Sequence, residues 1–350
     1  MRLLVTHEIY MKRCIELAAL GMGHVSPNPM VGAILVHQNR IIGEGYHQKF
    51  GEAHAEINCL NSVSPDNQAF IQDAIMYVSL EPCNHFGKTP PCTMAILQAG
   101  IQKVVVGSLD PNPMVAGEGI SHLREKGIEV IELPDQKAAR LLNRRFWINQ
   151  TLRRPYLILK WAQSADGFIG QTGKKIAISH VYSNRLVHQW RSEEDAIWAG
   201  YRTLLNDNPR LSTRLVPGRS PQRIIYDREA NLDKNLAVFD QSVPLHHYHS
   251  TAESSQGIFI NPSDYLSALL NDLYEKQIGS VLVEGGASLL NELFQSGYYD
   301  EVRIIQSQVQ LHKGVSAPTL PHDLNLQESF TLGGDDIQIF TRHQSETCYS

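Results

Sequence analysis

The chain predicts an α/β protein of two domains. Segments with strand character alternate with segments at helical spacing along nearly the whole chain, the pattern of layered α/β folds. At 350 residues the chain is also longer than one hydrophobic core comfortably serves. Finally, an arginine-rich stretch over 140–154 ends in Pro155, and a fresh apolar strand, Tyr156-Leu157-Ile158-Leu159, follows it. That stretch reads as a hinge, which divides the chain into domains 1–150 and 151–350.

Taken in order, residues 7–20 carry apolar positions at helical spacing behind Thr6 as an N-cap. Ser26-Pro27-Asn28-Pro29 breaks the chain, and 31–37 with 41–46 form a hairpin about Gln38-Asn39. A helix near 54–61 and a strand over 74–80 come next. A helix over 91–99 starts on Pro91 and stops at Gly100. A strand over 103–108, a helix over 119–126 and a strand over 128–131 complete the first half. The second half continues with a strand over 156–160, a helix near 183–191 and strands over 196–199 and 223–226. A helix over 263–275, a strand over 280–283, a helix over 288–295 and a strand over 301–305 follow. The polar stretch 241–256 reads as a loop and the tail beyond Arg342 as frayed.

Composition excludes several classes of function. Hydrophobic residues at 42% and charged residues at 19% describe an ordinary globular chain. With 31 Lys plus Arg against 36 Asp plus Glu, the net charge of −5 argues against a nucleic-acid binder, whose phosphate contacts need clustered cations. No run approaches the roughly 20 apolar residues of a membrane span, and the start has no secretion signal. The expectation is a cytoplasmic protein without a membrane partner. The five cysteines are an odd set; in such a chain a close pair reads as metal ligands before it reads as a disulfide. Cys14 and Cys59 fall on helical segments as core thiols.

The chemistry concentrates at His54-Ala55-Glu56, Pro82-Cys83 and Pro91-Cys92. A His and two Cys with a nearby Glu that is not a ligand is the zinc-deaminase pattern. Thiolate and imidazole suit Zn²⁺, and three protein ligands leave a fourth position for water, whose pKa falls to about 7 on the metal. Glu56, two residues past His54, is placed to carry the proton from that water to a departing amine. A closed structural zinc site would need a fourth Cys or His at regular spacing, and none sits beside this set. General deaminases have Cys-x-x-Cys, whereas eight residues separate Cys83 from Cys92 here.

With that long loop the first half resembles the deaminase half of the bifunctional riboflavin-biosynthesis enzymes. The matching stretches are Ser26 to Gly32, Gly45-Tyr46-His47-Gln48, Gly51 to Glu56, the Cys83–Cys92 loop and Asp110-Pro111-Asn112-Pro113. The resemblance implies a cytidine-deaminase-like three-layer α/β/α domain. It also implies that Asn28 and His47 contact a pyrimidine while His85, Lys88 and Thr89 line its ribose-phosphate side. Read alone, Asn28 is equally a turn residue, His47 a strand residue and Lys88 a solvated cation.

The second half lacks a strand-linked Gly-x-Gly-x-x-Gly. It has instead the strand Val281-Leu282-Val283 running into Glu284-Gly285-Gly286-Ala287-Ser288-Leu289-Leu290, where glycines allow close backbone approach and a helix N-terminus faces a phosphate. A tight strand–helix connection would look the same. Together with Arg154-Pro155-Tyr156, 160–167, 183–191 and 203–211, it resembles the reductase half of the same enzymes, similar in fold to dihydrofolate reductase. The resemblance implies that NADPH contacts Ala162, Thr203, Asp207 and the turn Gly285, Gly286, Ala287, Ser288, Leu289, Leu290. Substrate would meet Lys175, Arg191, Leu211, Arg214 and Glu284, with Arg191 and Arg214 as bidentate partners of its phosphate. Lys160 would polarise the sugar carbonyl or imine. Where many members carry a Ser-x-Trp-Ile-like stretch, this chain has Lys175-Ile176-Ala177-Ile178.

The expected function is therefore zinc-dependent deamination of a phosphorylated pyrimidine followed by NADPH-dependent reduction of its ribosyl chain, in a homo-oligomer. The alternative is a deaminase whose second half is catalytically weak or structural. A further candidate, a metal site at His246-His247-Tyr248-His249, reads as a solvated loop cluster.

Overall fold

The computed structural model describes residues 2–343 apart from 88–89, 113–114, 135–136, 172, 174–175 and 252–256. Lys88, Thr89 and Lys175 therefore lie outside the described residues. The chain divides into two compact units, Met1–Leu152 and Arg153–Cys348.

The first unit contains α1 (Arg2–Ala19), β1 (Gly32–His37), β2 (Arg40–Tyr46), α2 (Ala55–Asn61), β3 (Ile75–Val78) and α3 (Cys92–Gln98). It continues through β4 (Lys103–Val106), α4 (Glu118–Glu125), β5 (Glu129–Glu132), α5 (Lys137–Leu142) and α6 (Arg144–Leu152). The five strands form one sheet in the order β2-β1-β3-β4-β5, antiparallel at β2/β1/β3 and parallel beyond. Gln38 and Asn39 turn the β1–β2 hairpin at φ +49° and +61°, the double left-handed turn that matches strand twist. On one face Met11, Cys14 and Leu17 of α1 pack against Ile34, Val36, Tyr77 and Val105. On the other, Cys59, Ile96, Ile120 and Leu123 of α2, α3 and α4 pack against Ala33, Leu35, Met76 and Val104. This is the three-layer α/β/α arrangement expected of the first half.

The second unit contains β6 (Tyr156–Gln163), β7 (Phe168–Gly170), α7 (Val181–Glu193), β8 (Ala196–Ala199), α8 (Tyr201–Asp207), β9 (Gln222–Tyr226), β10 (Leu245–His249) and β11 (Ile258–Phe259). After these come α9 (Tyr265–Glu275), β12 (Ser280–Val283), α10 (Ala287–Gln295), β13 (Glu301–Gln306), β14 (Val315–Ser316), β15 (Leu324–Leu332) and β16 (Asp335–Arg342). Nine strands form one sheet, β11-β10-β9-β8-β12-β6-β13-β16-β15. It is parallel from β11 to β13 and closes in the antiparallel pairs β13/β16 and β16/β15. Leucines of α9 and α10 cover Leu157, Trp198 and Val283 on one face. Leu204 of α8 joins Ile197, Ala199 and Ile225 on the other. Among the described residues no helix is long and apolar enough to cross a membrane.

Two sequence expectations are corrected here. The stretch 140–154 is not a hinge but mostly helix: α5 and α6 belong to the first unit, with Ile148 fully buried. Asn143 accepts from Met30 N–H at 2.8 Å and donates to Met30 C=O at 2.8 Å, tying the helical pair to the chain before β1. The stretch 241–256 contains β10, which pairs in parallel with β9 through Tyr248 and Tyr226. Its histidines are not solvated: His247 and His249 are buried on one face, because alternation along a covered strand sends every second side chain inward. Their donor atoms do not gather with a third ligand, since His54, Cys83 and Cys92 are the three-donor group found among the described residues.

Candidate functional site

The first site is assembled at helix starts. Gly45 makes it possible for α2 to lie close on β2, since a Cβ there would stand 2.2 Å from Cys59 N. The extended residue before α2 is His54, with ψ 170°, so its imidazole projects from the helix entrance. Cys92 is the first residue of α3, behind Pro91. Cys83 lies in the segment after β3, and its sulfur accepts from Cys92 N–H at 3.3 Å. His54 Nδ1 stands 3.3 Å from Cys92 Sγ and 3.5 Å from Cys83 Sγ. All three ligand atoms lie within 4.8 Å of one another. One imidazole and two thiols converging on one point, with no fourth donor in the group among the described residues, fit a zinc ion with an open coordination position.

Electrostatics agree with that fit. A hydrogen bond from the Cys92 thiol, opposed by burial and aided by His54, holds Cys83 below the usual thiol range. Glu56, in the first turn of α2, is 3% exposed. Burial, reinforced by the negative charge of Cys83, pushes its carboxyl up to about 7. A thiolate is ready for the metal, and a buried carboxyl beside it is suited to holding and releasing a proton near neutrality.

These residues floor a cavity of about 300 Å³ whose lining includes Asn28, His47, His85, Asp110, Phe146 and Gln150. His47 Nδ1 donates to Ala53 C=O at 3.1 Å, so Nε2 is left to accept from Asn28 Nδ2 at 3.2 Å. Burial keeps this imidazole neutral by lowering its pKa. Glu81 braces the opposite wall. Its carboxylate accepts from the backbone N–H groups of Asp110, Gly117, Gly119 and Ile120 at 3.2, 2.9, 2.9 and 3.3 Å. Gly119 is obligatory there, because a Cβ would meet Pro82 C=O at 2.1 Å.

The second site lies at the carboxyl ends of parallel strands, where open α/β sheets bind ligands. Gly200 precedes α8 after β8, and Gly286 precedes α10 after β12. The two turns touch: a Cβ on Gly200 would stand 3.5 Å from Gly286 N, and one on Gly286 would stand 3.6 Å from Thr203 Oγ1. Two helix starts side by side, with backbone exposed by glycine, form a cradle that fits the phosphates of a dinucleotide. Beside it Arg191 donates through Nε and Nη2 to both oxygens of Glu284 at 2.7 and 2.8 Å. Lys160 Nζ stands 3.8 Å from Glu284. Burial opposes ionisation of Glu284, yet Arg191 and Lys160 hold it down at about 2. Burial lowers the Lys160 pKa against the pull of Glu284.

Comparison with known proteins decides the family. Residues 4–108 match the cytidine and deoxycytidylate deaminase zinc-binding region, and residues 155–332 match the RibD C-terminal domain. The riboflavin biosynthesis protein RibD of Aquifex aeolicus is 36% identical, covering 95% of this chain and 97% of that protein. The chain belongs to the RibD family. The Escherichia coli RibD is 33% identical over 84% of this chain and 86% of its own length. The crystal structure of the Thermotoga maritima diaminohydroxyphosphoribosylaminopyrimidine deaminase/5-amino-6-(5-phosphoribosylamino)uracil reductase superposes with a TM-score of 0.88 at 34% identity, covering 97% and 99% of the two chains. As a RibD-family member the chain is a bifunctional enzyme of riboflavin biosynthesis, joining a zinc-binding deaminase to an NADPH-using reductase with a dihydrofolate-reductase-like fold.

Within this RibD-family chain the structure brings His54, Glu56, Cys83, Asn28, His47 and His85 to one cavity, and Cys92 joins His54 and Cys83 in the three-donor group. It gathers Lys160, Arg191 and Glu284 into one charged cluster and Thr203, Gly285 and Gly286 at one cradle. Asp207 closes α8 one turn beyond Thr203, and Ala162 lies near the end of β6. The side chains of Leu211 and Leu290 lie inside apolar clusters, so a contact of either with a ligand would be made by its backbone. Arg191 is held within the protein. Its fork is engaged by Glu284, and Nη1 donates to Ser212 C=O at 3.2 Å. Sequence reading missed Phe146 and Gln150, which an i, i+4 pairing on a helix would have flagged had 140–154 been read as helical.

Proposed function

We propose that residues 1–150 hydrolyse the 2-amino group of 2,5-diamino-6-ribosylamino-4(3H)-pyrimidinone 5′-phosphate. Residues 151–350 then reduce the ribosyl chain of the product to ribityl. The observation that carries the reading is the convergence of His54, Cys83 and Cys92 beside buried Glu56 at the floor of a cavity that also holds Asn28 and His47. The name of the Thermotoga maritima neighbour supports the choice of substrate.

Zinc held by His54, Cys83 and Cys92 supplies Lewis acidity that brings the pKa of water to about 7. Glu56 takes the proton released as water adds to C2 and returns it to the 2-amino group, so the C2–N bond breaks, ammonia leaves and a carbonyl remains. Asn28 and His47 orient the pyrimidine, and His85, Lys88 and Thr89 bind its ribose phosphate. In the second unit NADPH supplies the hydride. Thr203, Asp207, Ala162 and the Gly285–Gly286 turn bind it, with Ala287, Ser288 and Leu289 opening the adjoining helix. Lys160 donates a hydrogen bond to the sugar carbonyl or imine, Glu284 and Lys175 contact the ribose, and Arg214 takes the phosphate. A cytoplasmic location suits two cysteines that must stay reduced to bind metal. The exposed edge strand β15 supports self-association.

The test is incubation with this diaminopyrimidinone, following ammonia with and without NADPH. Ammonia without NADPH, then NADPH oxidation once deaminated product accumulates, is the expected result. No ammonia from zinc-replete protein overturns the substrate assignment, and ammonia without NADPH oxidation leaves the second unit a structural partner.

A further inference from the structure

The segment Leu211–Arg214 is anchored at four consecutive residues. Leu211 adopts φ +54° with its side chain in the apolar cluster of Leu204 and Ile225. Ser212 C=O accepts from Arg191 Nη1 at 3.2 Å. Thr213 N–H donates to Ser220 Oγ at 3.0 Å. Arg214 N–H donates to His188 Nδ1 at 3.0 Å. His188 and Arg191 are three apart on α7 and so share one helix face. One helix face therefore grips the segment twice, by an acceptor for Arg214 and by a donor for Ser212. The same Arg191 holds Glu284 in a two-pronged ion pair. At the end of this segment the Arg214 side chain is exposed and, among the described residues, forms no ion pair.

We infer that His188 is a positioning residue of the reductase: its neutral imidazole, through the Nδ1 lone pair, fixes the backbone of Arg214 so that the guanidinium is presented to the substrate phosphate at a set distance from Glu284 and Lys160. The inference rests on the proposed reading of the second unit. Chemistry makes histidine apt here. The Arg214 N–H needs an acceptor, which requires Nδ1 to be unprotonated and the proton to sit on Nε2. Burial, then the neighbouring Arg191 and Arg214, hold His188 down at about 4, with Glu284 pulling the other way and Lys160 adding to the lowering. The lone pair is therefore available throughout the neutral range. His188 touches neither substrate nor cofactor in this account; it acts through Arg214. A peptide N–H left without its acceptor beside three cations would let the segment relax, and binding would weaken while the hydride step, arranged by NADPH and Lys160, would not.

The experiment compares full-length wild type with His188→Leu, His188→Asn and His188→Gln, each zinc-replete, with ammonia release from the first unit as the folding control. Steady-state reduction of the deaminated substrate gives KM and kcat, and fluorescence titration gives the NADPH Kd. The substrate Kd without NADPH comes from equilibrium dialysis. His188→Leu is expected to raise KM and substrate Kd about tenfold, the worth of one hydrogen bond, with kcat and NADPH Kd changed less than about threefold. Asparagine places an amide oxygen close to the Nδ1 position and is expected to restore most of the affinity. Glutamine, which reaches to the Nε2 position, is expected not to. If leucine fails to fold, the asparagine–glutamine contrast decides alone. Equal substrate affinity in all the variants, or a loss confined to kcat or to NADPH binding, overturns the positioning role. Failure of wild type to reduce the substrate, with NADPH still bound, overturns instead the reading of the second unit on which it rests.

Discussion

The two sites of this chain solve the problem of buried charge in opposite ways. In the first unit the donors His54, Cys83 and Cys92 converge with buried Glu56 near them, and among the described residues no Lys or Arg forms an ion pair with Glu56. That site is built to be completed by a cation. In the second unit the buried carboxylate of Glu284 is already paired with Arg191 and Lys160, leaving an excess of positive charge that the exposed Arg214 increases. There the buried anion has its counter-charges from the chain itself. A site awaiting a metal is coded by a few residue types at short spacings. An internally paired site draws on β6, α7 and the end of β12, far apart in the chain.

The largest effect is expected at Glu56. Glu56→Gln should keep zinc at wild-type stoichiometry by metal analysis and lose deamination by about 10²–10⁴-fold, while NADPH oxidation with deaminated substrate is unchanged. Retained deamination would remove Glu56 from proton transfer. Next comes Arg191→Ala, which leaves Glu284 buried with a distant lysine as its remaining partner. Breaking such a pair costs about 3–5 kcal/mol, so denaturant unfolding of the second unit should shift strongly while first-unit deamination survives in mild conditions. A small shift would mean that the pair is not the organiser of the cluster.

Acid sensitivity is the next effect down. His188 has its folded pKa lowered from the ordinary 6.5 to about 4. Between those values the unfolded chain binds more protons than the native one, so stability present above pH 6.5 is lost as pH falls toward 4, by about 3 kcal/mol. Glu284, held at about 2, adds its own loss only below about pH 4.5. Chemical denaturation from pH 7 to 4 should show the decline, and His188→Asn should flatten it; an unchanged slope in the variant would assign the decline to other groups. The smallest effect is expected for Gly119→Ala. Its Cβ collides with Pro82 C=O and must displace the segment after β3 that carries Cys83. A cost of about 1–3 kcal/mol is typical of overpacking, read as a lower melting temperature and weaker zinc retention under chelator; unaltered zinc retention would uncouple the Glu81 brace from the metal centre.

Legibility in the sequence followed the same divide. His54-Ala55-Glu56 and the two Pro-Cys pairs name their chemistry because a metal dictates residue types, His54 directly precedes a helix and each cysteine directly follows a proline. Arg191 showed the opposite. As an arginine in a phosphate-binding enzyme it reads as a phosphate fork, but its partner lies 93 positions on, and no local spacing announces a bidentate ion pair. The helices over 137–152 were hidden because arginines interrupt their apolar pattern, although Asn143 and Ile148 are buried. The strand through His246-His247-Tyr248-His249 was hidden because its inward histidines are polar by type.

By itself the sequence determined the class of fold, the alternation of elements, the zinc ligand set and the family, since all depend on residue type and on spacing along the chain. Tertiary structure alone decided that Phe146 and Gln150 wall the first cavity, that Arg191 pairs with Glu284, and that His188 accepts from Arg214 N–H. Those assignments depend on which acceptor stands about 3 Å from which donor, and the packing of distant elements sets that distance.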